Sequence, residues 1–150
     1  MKDAATDLRS TLAAVLPRLR AIDEARASLP RGEGKWSPKE ILGHLIDSAA
    51  NNHQRFVRAQ MAREIVLPGY EQERWVEGQG YQERPWSDIV VLWQALNLHL
   101  AHILERLPAS ARTTICRIGA NPPLDLEVIV RDYLAHLRNH LNQVLEDRFH

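Results

Sequence analysis

The sequence predicts an all-α fold, a four-helix bundle, in a single domain spanning residues 1–150. Four stretches repeat apolar residues at three- and four-residue steps, the spacing of one helix face. No stretch alternates apolar and polar residues in the sustained way of a half-buried strand. A chain of 150 residues is also long enough for one domain with a substantial core.

The first helical stretch covers residues 4–27, with Leu8, Leu12, Val15, Leu16, Leu19 and Ile22 on one side. Pro17 lies inside it and is expected to kink or split it, because proline removes a backbone donor. The second has the clearest start in the chain. Ser37, Pro38 and Glu40 read as an N-cap, a proline at the first helical position and the partner that closes a capping box. Its apolar side carries Ile41, Leu42, Leu45, Ile46, Ala49, Phe56 and Val57, and it is expected to end near Arg63. Residues 64–86 read as a long connection with Pro68, Gly69, Gly78, Gly80 and Pro85. A structureless loop of that length is often functional, and Tyr70, Trp75 and Tyr81 are expected to pack it onto the bundle. The third helix is expected from Ser87 or Asp88 to Leu107, burying Ile89, Leu92, Trp93, Leu96, Leu100, Ile103 and Leu107. A shorter connection containing Gly119, Pro122 and Pro123 leads to the fourth, from about Asp125 to about Asp147. Leu126, Ile129, Tyr133, Leu137, Leu141 and Val144 form its stripe.

Composition narrows the function. Lys plus Arg and Asp plus Glu number 19 each, so no basic excess argues for nucleic acid. No run approaches the ~18 apolar residues of a membrane span. The start of the chain lacks the apolar core of a secretory signal. The one cysteine, Cys116, fits a reducing compartment and reads as a small half-buried hydrophobe. The expectation is a cytoplasmic protein without a membrane or nucleic-acid partner.

Of the seven histidines, the helical wheel separates three. His136 and His140 are four apart, hence one turn apart on the apolar face of the fourth helix. Two imidazoles at that spacing can reach one metal ion. The competing reading, two core histidines, needs a hydrogen-bond partner for each ring. On the second helix His44 faces inward beside Ile41 and Leu45, which makes it the candidate third ligand. His53, nine residues on, turns to the opposite side and reads as a surface residue. His99 reads as a core or pocket residue of the third helix, and His102 and His150 carry no such signal. Three imidazoles leave coordination positions open, the pattern of a catalytic rather than a structural site. Imidazole suits zinc, nickel, iron and copper alike. Asp47, Asn51 and Arg55 follow His44 on the same strip. Asp47 is the candidate catalytic carboxylate, able to orient an imidazole N–H or accept a proton. Ligation requires neutral rings, so affinity is expected to fall below pH ~6.5.

The run WSPKEILGHLIDSAANNHQRF from Trp36 to Phe56 resembles the second-helix signature of the DinB/YfiT-like superfamily. The run DYLAHLRNHLNQV from Asp132 to Val144 resembles its C-terminal histidine helix, and GYEQERWV from Gly69 and ERLP from Glu105 are similar to intervening segments. The resemblance covers nearly the whole chain. It implies an up-down-down-up bundle, often a homodimer. It also implies a divalent metal, nickel or zinc, on His44, His136 and His140. It implies an enzyme acting on a small molecule, foremost a thiol-dependent S-transferase using a low-molecular-weight thiol as cosubstrate. A metal-dependent hydrolase that activates water at the same site is the alternative. A third reading is a non-enzymatic, metal-stabilised module binding a partner through its exposed faces and long loop.

Overall fold

The computed structural model describes residues 1–146. Four long helices carry the fold: α1 (Lys2–Arg20), α3 (Pro38–Arg58), α5 (Trp86–Arg106) and α6 (Leu126–Leu145). Asp147 and His150 lie outside the described residues. The stretch 4–27 divides into α1 and a single turn, α2 (Glu24–Ala27). Pro17 does not end α1, which runs three residues beyond it. Pro17 is exposed, so the carbonyl it leaves without a donor faces water.

The start signals operate as read. Ser37 caps α3, and the reciprocal bonds of the capping box with Glu40 are both present. Asp125 caps α6 by accepting from Val128 N–H at 3.0 Å. The third long helix differs. It begins at Trp86 with neither Ser87 nor Asp88 as its cap. Instead Glu24, on α2, accepts from Trp86 N–H at 2.9 Å and pairs with the buried ammonium of Lys39. The end of α3 also comes earlier than expected, at Arg58 rather than near Arg63.

Cross-helix contacts set the directions. Arg9 meets Glu105 and Arg20 meets Gln94, so α1 and α5 are antiparallel. Asp7 pairs with Arg138 and Arg18 reaches Leu145 O, so α1 and α6 run in parallel. Phe56 packs on Tyr133 while His44 faces His140, so α3 and α6 are antiparallel. The result is an up-down-down-up four-helix bundle in which the consecutive helices α3 and α5 run in the same direction.

That parallel arrangement obliges residues 59–85 to travel back along the bundle, and they do so with structure. They contain β1 (Glu64–Leu67), α4 (Gln72–Gln79) and a 3₁₀ turn at Tyr81–Glu83. The second connection contributes β2 (Ile115–Ile118) and β3 (Leu124–Asp125). Strand β2 pairs parallel to β1 and antiparallel to β3, making a small three-stranded sheet. These strands have two to four residues, too few for alternation to register in the sequence. Among the described residues no helix is long and apolar enough to cross a membrane.

Candidate metal centre

His44 from α3 and His136 and His140 from α6 converge inside the bundle. One ring nitrogen from each lies within 4.8 Å of those of the other two. His44 Nε2 stands 3.0 Å from His136 Nε2. Two nitrogens bound to one ion at ~2.1 Å each sit about 3.0–3.4 Å apart, so the pair already has the spacing of two ligands on a common ion. All three rings meet edge to face, with centroids 4.5–4.9 Å apart. Gln143 Oε1 lies 3.0 Å from His140 Nδ1. A glutamine oxygen only accepts, so it holds the His140 proton on Nδ1 and leaves Nε2 bare for a ligand. His44 is fully buried, with the Trp36 ring at 5.2 Å.

Electrostatics favours neutral rings. Burial, with the neighbouring histidines adding to it, lowers the pKa of His44 and of His136 to about 4. This modifies the expectation from free imidazole. For these two ligands, proton competition begins well below pH ~6.5 because the protein disfavours their charged forms. The residues therefore fit a divalent metal: three imidazole nitrogen donors, close together, with one tautomer fixed by a hydrogen bond.

Asp47 lies one turn beyond His44 and is 1% exposed. Its Oδ1 accepts from Gln79 Nε2 and from Tyr81 Oη, each at 2.7 Å. Burial pushes the carboxyl pKa up, while those two bonds oppose the shift. Tyr81 reaches Asp47 because Gly43 leaves room for it: a Cβ at Gly43 would stand 2.3 Å from the Tyr81 ring. Among the described residues, Asp47 Oδ2 and His44 Nδ1 are buried without a hydrogen-bond partner.

A cavity of about 470 Å³ opens beside the histidines, with His136 in its wall. Ser48, Asn52 and Arg55 line it from α3, Tyr70 from the crossover, and Cys116 from β2. Asp47 and Asn51 are not in this wall. Asn51 donates to Asp47 O on its own helix at 2.8 Å.

The structure thus brings His44, His136 and His140 together and leaves Asp47 buried one turn along α3, bonded to Gln79 and Tyr81. It corrects two histidines. His99 is exposed rather than in a core or pocket, and His53, half-buried rather than on the surface, packs against its ring at 5.2 Å. Helix α5 buries Ile89, Trp93, Asn97, Leu100 and Leu104, a face rotated from the expected one, and Leu92 is 39% exposed. Gln143, Gln79, Tyr81 and Tyr70 are site residues that sequence reasoning missed. Gln143, three residues after His140, was the one with a usable signal, since i and i+3 side chains meet on a helix. Of the aromatics expected to pack the crossover onto the bundle, Tyr81 is buried and Tyr70 half-buried, while Trp75 is 40% exposed, and the bonds of Tyr81 and Gln79 to Asp47 have no local signal.

Known proteins extend this picture. A Bacillus subtilis protein, YfiT, described as a probable metal-dependent hydrolase with an unusual four-helix bundle topology, superposes with a TM-score of 0.82. The match covers 97% of this chain and 84% of YfiT at 20% identity, a likeness of fold. A Bacillus cereus (strain ATCC 10987 / NRS 248) protein named "Putative metal-dependent hydrolase" is 25% identical over 81% of this chain and 70% of its own length. A Bacillus mycoides (strain KBAB4) protein of the same description is 27% identical over 39% of this chain, and the matched part spans only 34% of that relative. The sequence profile of the DinB superfamily matches residues 7–144, which contain all three histidines and nearly the whole bundle. The chain belongs to the DinB superfamily.

Proposed function

We propose that the chain is a divalent-metal-dependent enzyme acting on a small molecule, with thiol-dependent S-transfer as its first reading. The observation that carries this is the convergence of three imidazole nitrogens, without a carboxylate among them, beside a cavity of about 470 Å³. A divalent ion held there, nickel or zinc by family resemblance, would supply Lewis acidity and lower the pKa of a thiol or water beside it. The chain's one thiol, Cys116, is 1% exposed, and burial pushes its pKa up, so it is a poor nucleophile. An external low-molecular-weight thiol fills that role in this reading. His44, His136 and His140 hold the ion, and Gln143 orients His140. Asp47 lies one turn beyond His44 on α3, and its Oδ2 is buried without a hydrogen-bond partner among the described residues. Its burial away from the cavity wall supports an orienting role over proton transfer to substrate.

Hydrolysis is the second reading, favoured by the names of the relatives. It requires a proton acceptor at the cavity, and Asp132 is the carboxylate in its wall. A purely structural metal is less well supported, since such sites normally close with four protein ligands. Family resemblance extends the proposal to a cytoplasmic homodimer.

The test begins with elemental analysis of native-purified wild type, His44→Ala and His136→Ala. About one equivalent of metal is expected in wild type, with loss in both variants. The loaded protein is then assayed with bacillithiol, mycothiol and glutathione against a model electrophile, and with ester and amide substrates without thiol. Conjugation that disappears in His136→Ala supports S-transfer. Turnover only in the thiol-free arm selects hydrolysis, and no metal uptake at all refutes both.

A further inference from the structure

The cavity next to the histidines holds one strong cation without a counterion. Arg55 lines its wall, and among the described residues no carboxylate lies within 4.0 Å of the guanidinium. Arg55 Nη1 donates to Asn52 Oδ1 at 3.4 Å, a long bond to a neutral group. The two titratable groups nearest in charge terms are the Tyr70 phenol and the Cys116 thiol. Burial pushes the pKa of both upward, so both are neutral at pH 7. A half-buried guanidinium remains charged, and leaving it unpaired is costly. Such a group is stabilised by an anion that enters from solution.

We propose that Arg55 anchors a carboxylate of the small-molecule substrate, whose reacting end lies toward His136. This deepens the reading of the site as a metal-dependent enzyme and rests on it for the direction of the reacting end. The planar five-donor guanidinium suits a carboxylate, which it binds through two parallel hydrogen bonds. Ser48 and Tyr70, hydrogen-bonded to each other, add one further hydroxyl donor to the same wall. A single negative charge is the match. Asp132, exposed in the wall, repels a second one and disfavours a phosphate dianion. The guanidinium reaches back to Asn52, eight residues along α3 from His44. That rise places the anchor on the order of 10 Å from the histidines, so the substrate is an extended carboxylic acid rather than a formate-sized one.

The test uses hexanoate, its neutral analogue hexanamide, and methyl phosphate as probes. Each is titrated into isotope-labelled wild type, Arg55→Gln and Arg55→Lys, metal-free and metal-loaded, following the Arg55 Nε–H and the Gly119 amide by NMR. Spectra of the free variants establish that they fold. Hexanoate is expected to bind wild type at least tenfold more tightly than hexanamide, and to lose at least tenfold in Arg55→Gln. Arg55→Lys recovers part of the loss, because lysine restores charge without the fork. Should Arg55→Gln fail to fold, the hexanoate-to-hexanamide ratio and Arg55→Lys carry the test. Equal binding of hexanoate and hexanamide, an unchanged affinity in Arg55→Gln, or tighter binding of methyl phosphate overturns the proposal. Hexanoate binding by a protein that takes up no metal upholds the anchor while removing the metal-enzyme reading. Metal uptake without hexanoate preference does the reverse.

Discussion

Replacing Gly43 by alanine tests whether the metal centre is supported from behind. The new methyl carbon would lie 2.3, 2.4 and 2.7 Å from Cδ2, Cγ and Cε2 of Tyr81. These include Cγ, which a turn of the ring about Cβ–Cγ does not move, and a change of χ1 would carry the hydroxyl away from Asp47. The ring has to withdraw by more than an ångström, and Tyr81 is 3% exposed, with packed neighbours in the way. Withdrawal breaks the 2.7 Å bond to Asp47. Overpacking costs about 1–3 kcal/mol, and losing a buried hydrogen bond to a carboxylate costs about 1.5–3 kcal/mol. Alanine in a helix interior returns roughly 0.5–1 kcal/mol. The net expectation is destabilisation of about 3 kcal/mol, and ~2–4 °C of melting temperature per kcal/mol at this chain length gives a fall of about 6–12 °C. Thermal and urea unfolding of wild type, Gly43→Ala, Tyr81→Ala and the double variant measure it as a double-mutant cycle. In the Tyr81→Ala background the methyl group has nothing to meet, so Gly43→Ala should there be neutral or slightly stabilising. Equal cost in both backgrounds would refute the reasoning, because the penalty would then not come from the Tyr81 ring.

Further outcomes follow from the same contacts. Gln143→Ala removes the acceptor that orients His140, and metal affinity should fall about 10- to 100-fold with little change in melting temperature; competition against a chromophoric chelator measures it. The buried Tyr133 hydroxyl donates to Asn97 Oδ1, so Tyr133→Phe strands that oxygen and should cost about 1–3 kcal/mol in urea unfolding. The metal-free protein should lose stability on acidification. His44 and His136 titrate near pH 4 when folded and near 6.5 when unfolded, so the unfolded chain binds more protons between those values. Stability conferred by the two neutral rings is present above pH ~6.5, declines as pH falls and levels off below about 4. Urea midpoints across pH 3.5–8 should show this slope, reduced in His44→Gln, and an equal slope in that variant would contradict the assignment.

Much of the architecture was legible in the sequence because helices are local. The capping box at Ser37–Glu40 acts within one turn and operates as the sequence indicates, and the fourth helix begins where expected, at Asp125. The pairing of His136 with His140 follows from four-residue spacing, and the inward turn of His44 follows from its apolar neighbours. Helix α5 resisted this treatment. Val90, Val91, Leu92, Leu96 and Leu98 spread apolar side chains around most of its circumference, so periodicity alone could not choose the buried face. The structure turns Asn97 inward and His99 outward.

Four amphipathic helices, the starts of α3 and α6, and a trio of inward-facing histidines are encoded in short windows of the chain, because these depend on residues a few positions apart. The rest was settled by packing in three dimensions. It set α3 parallel to α5, paired β1 with β2 across a separation of 51 positions, and drew Gln79 and Tyr81 onto Asp47. It also left Arg55 lining a cavity with no carboxylate within 4.0 Å of its guanidinium among the described residues. Each of these depends on which distant segments share space, and the winning arrangement is the one that buries the most apolar surface while pairing its polar groups. That choice is made by the whole chain at once, so no local window of sequence contains it.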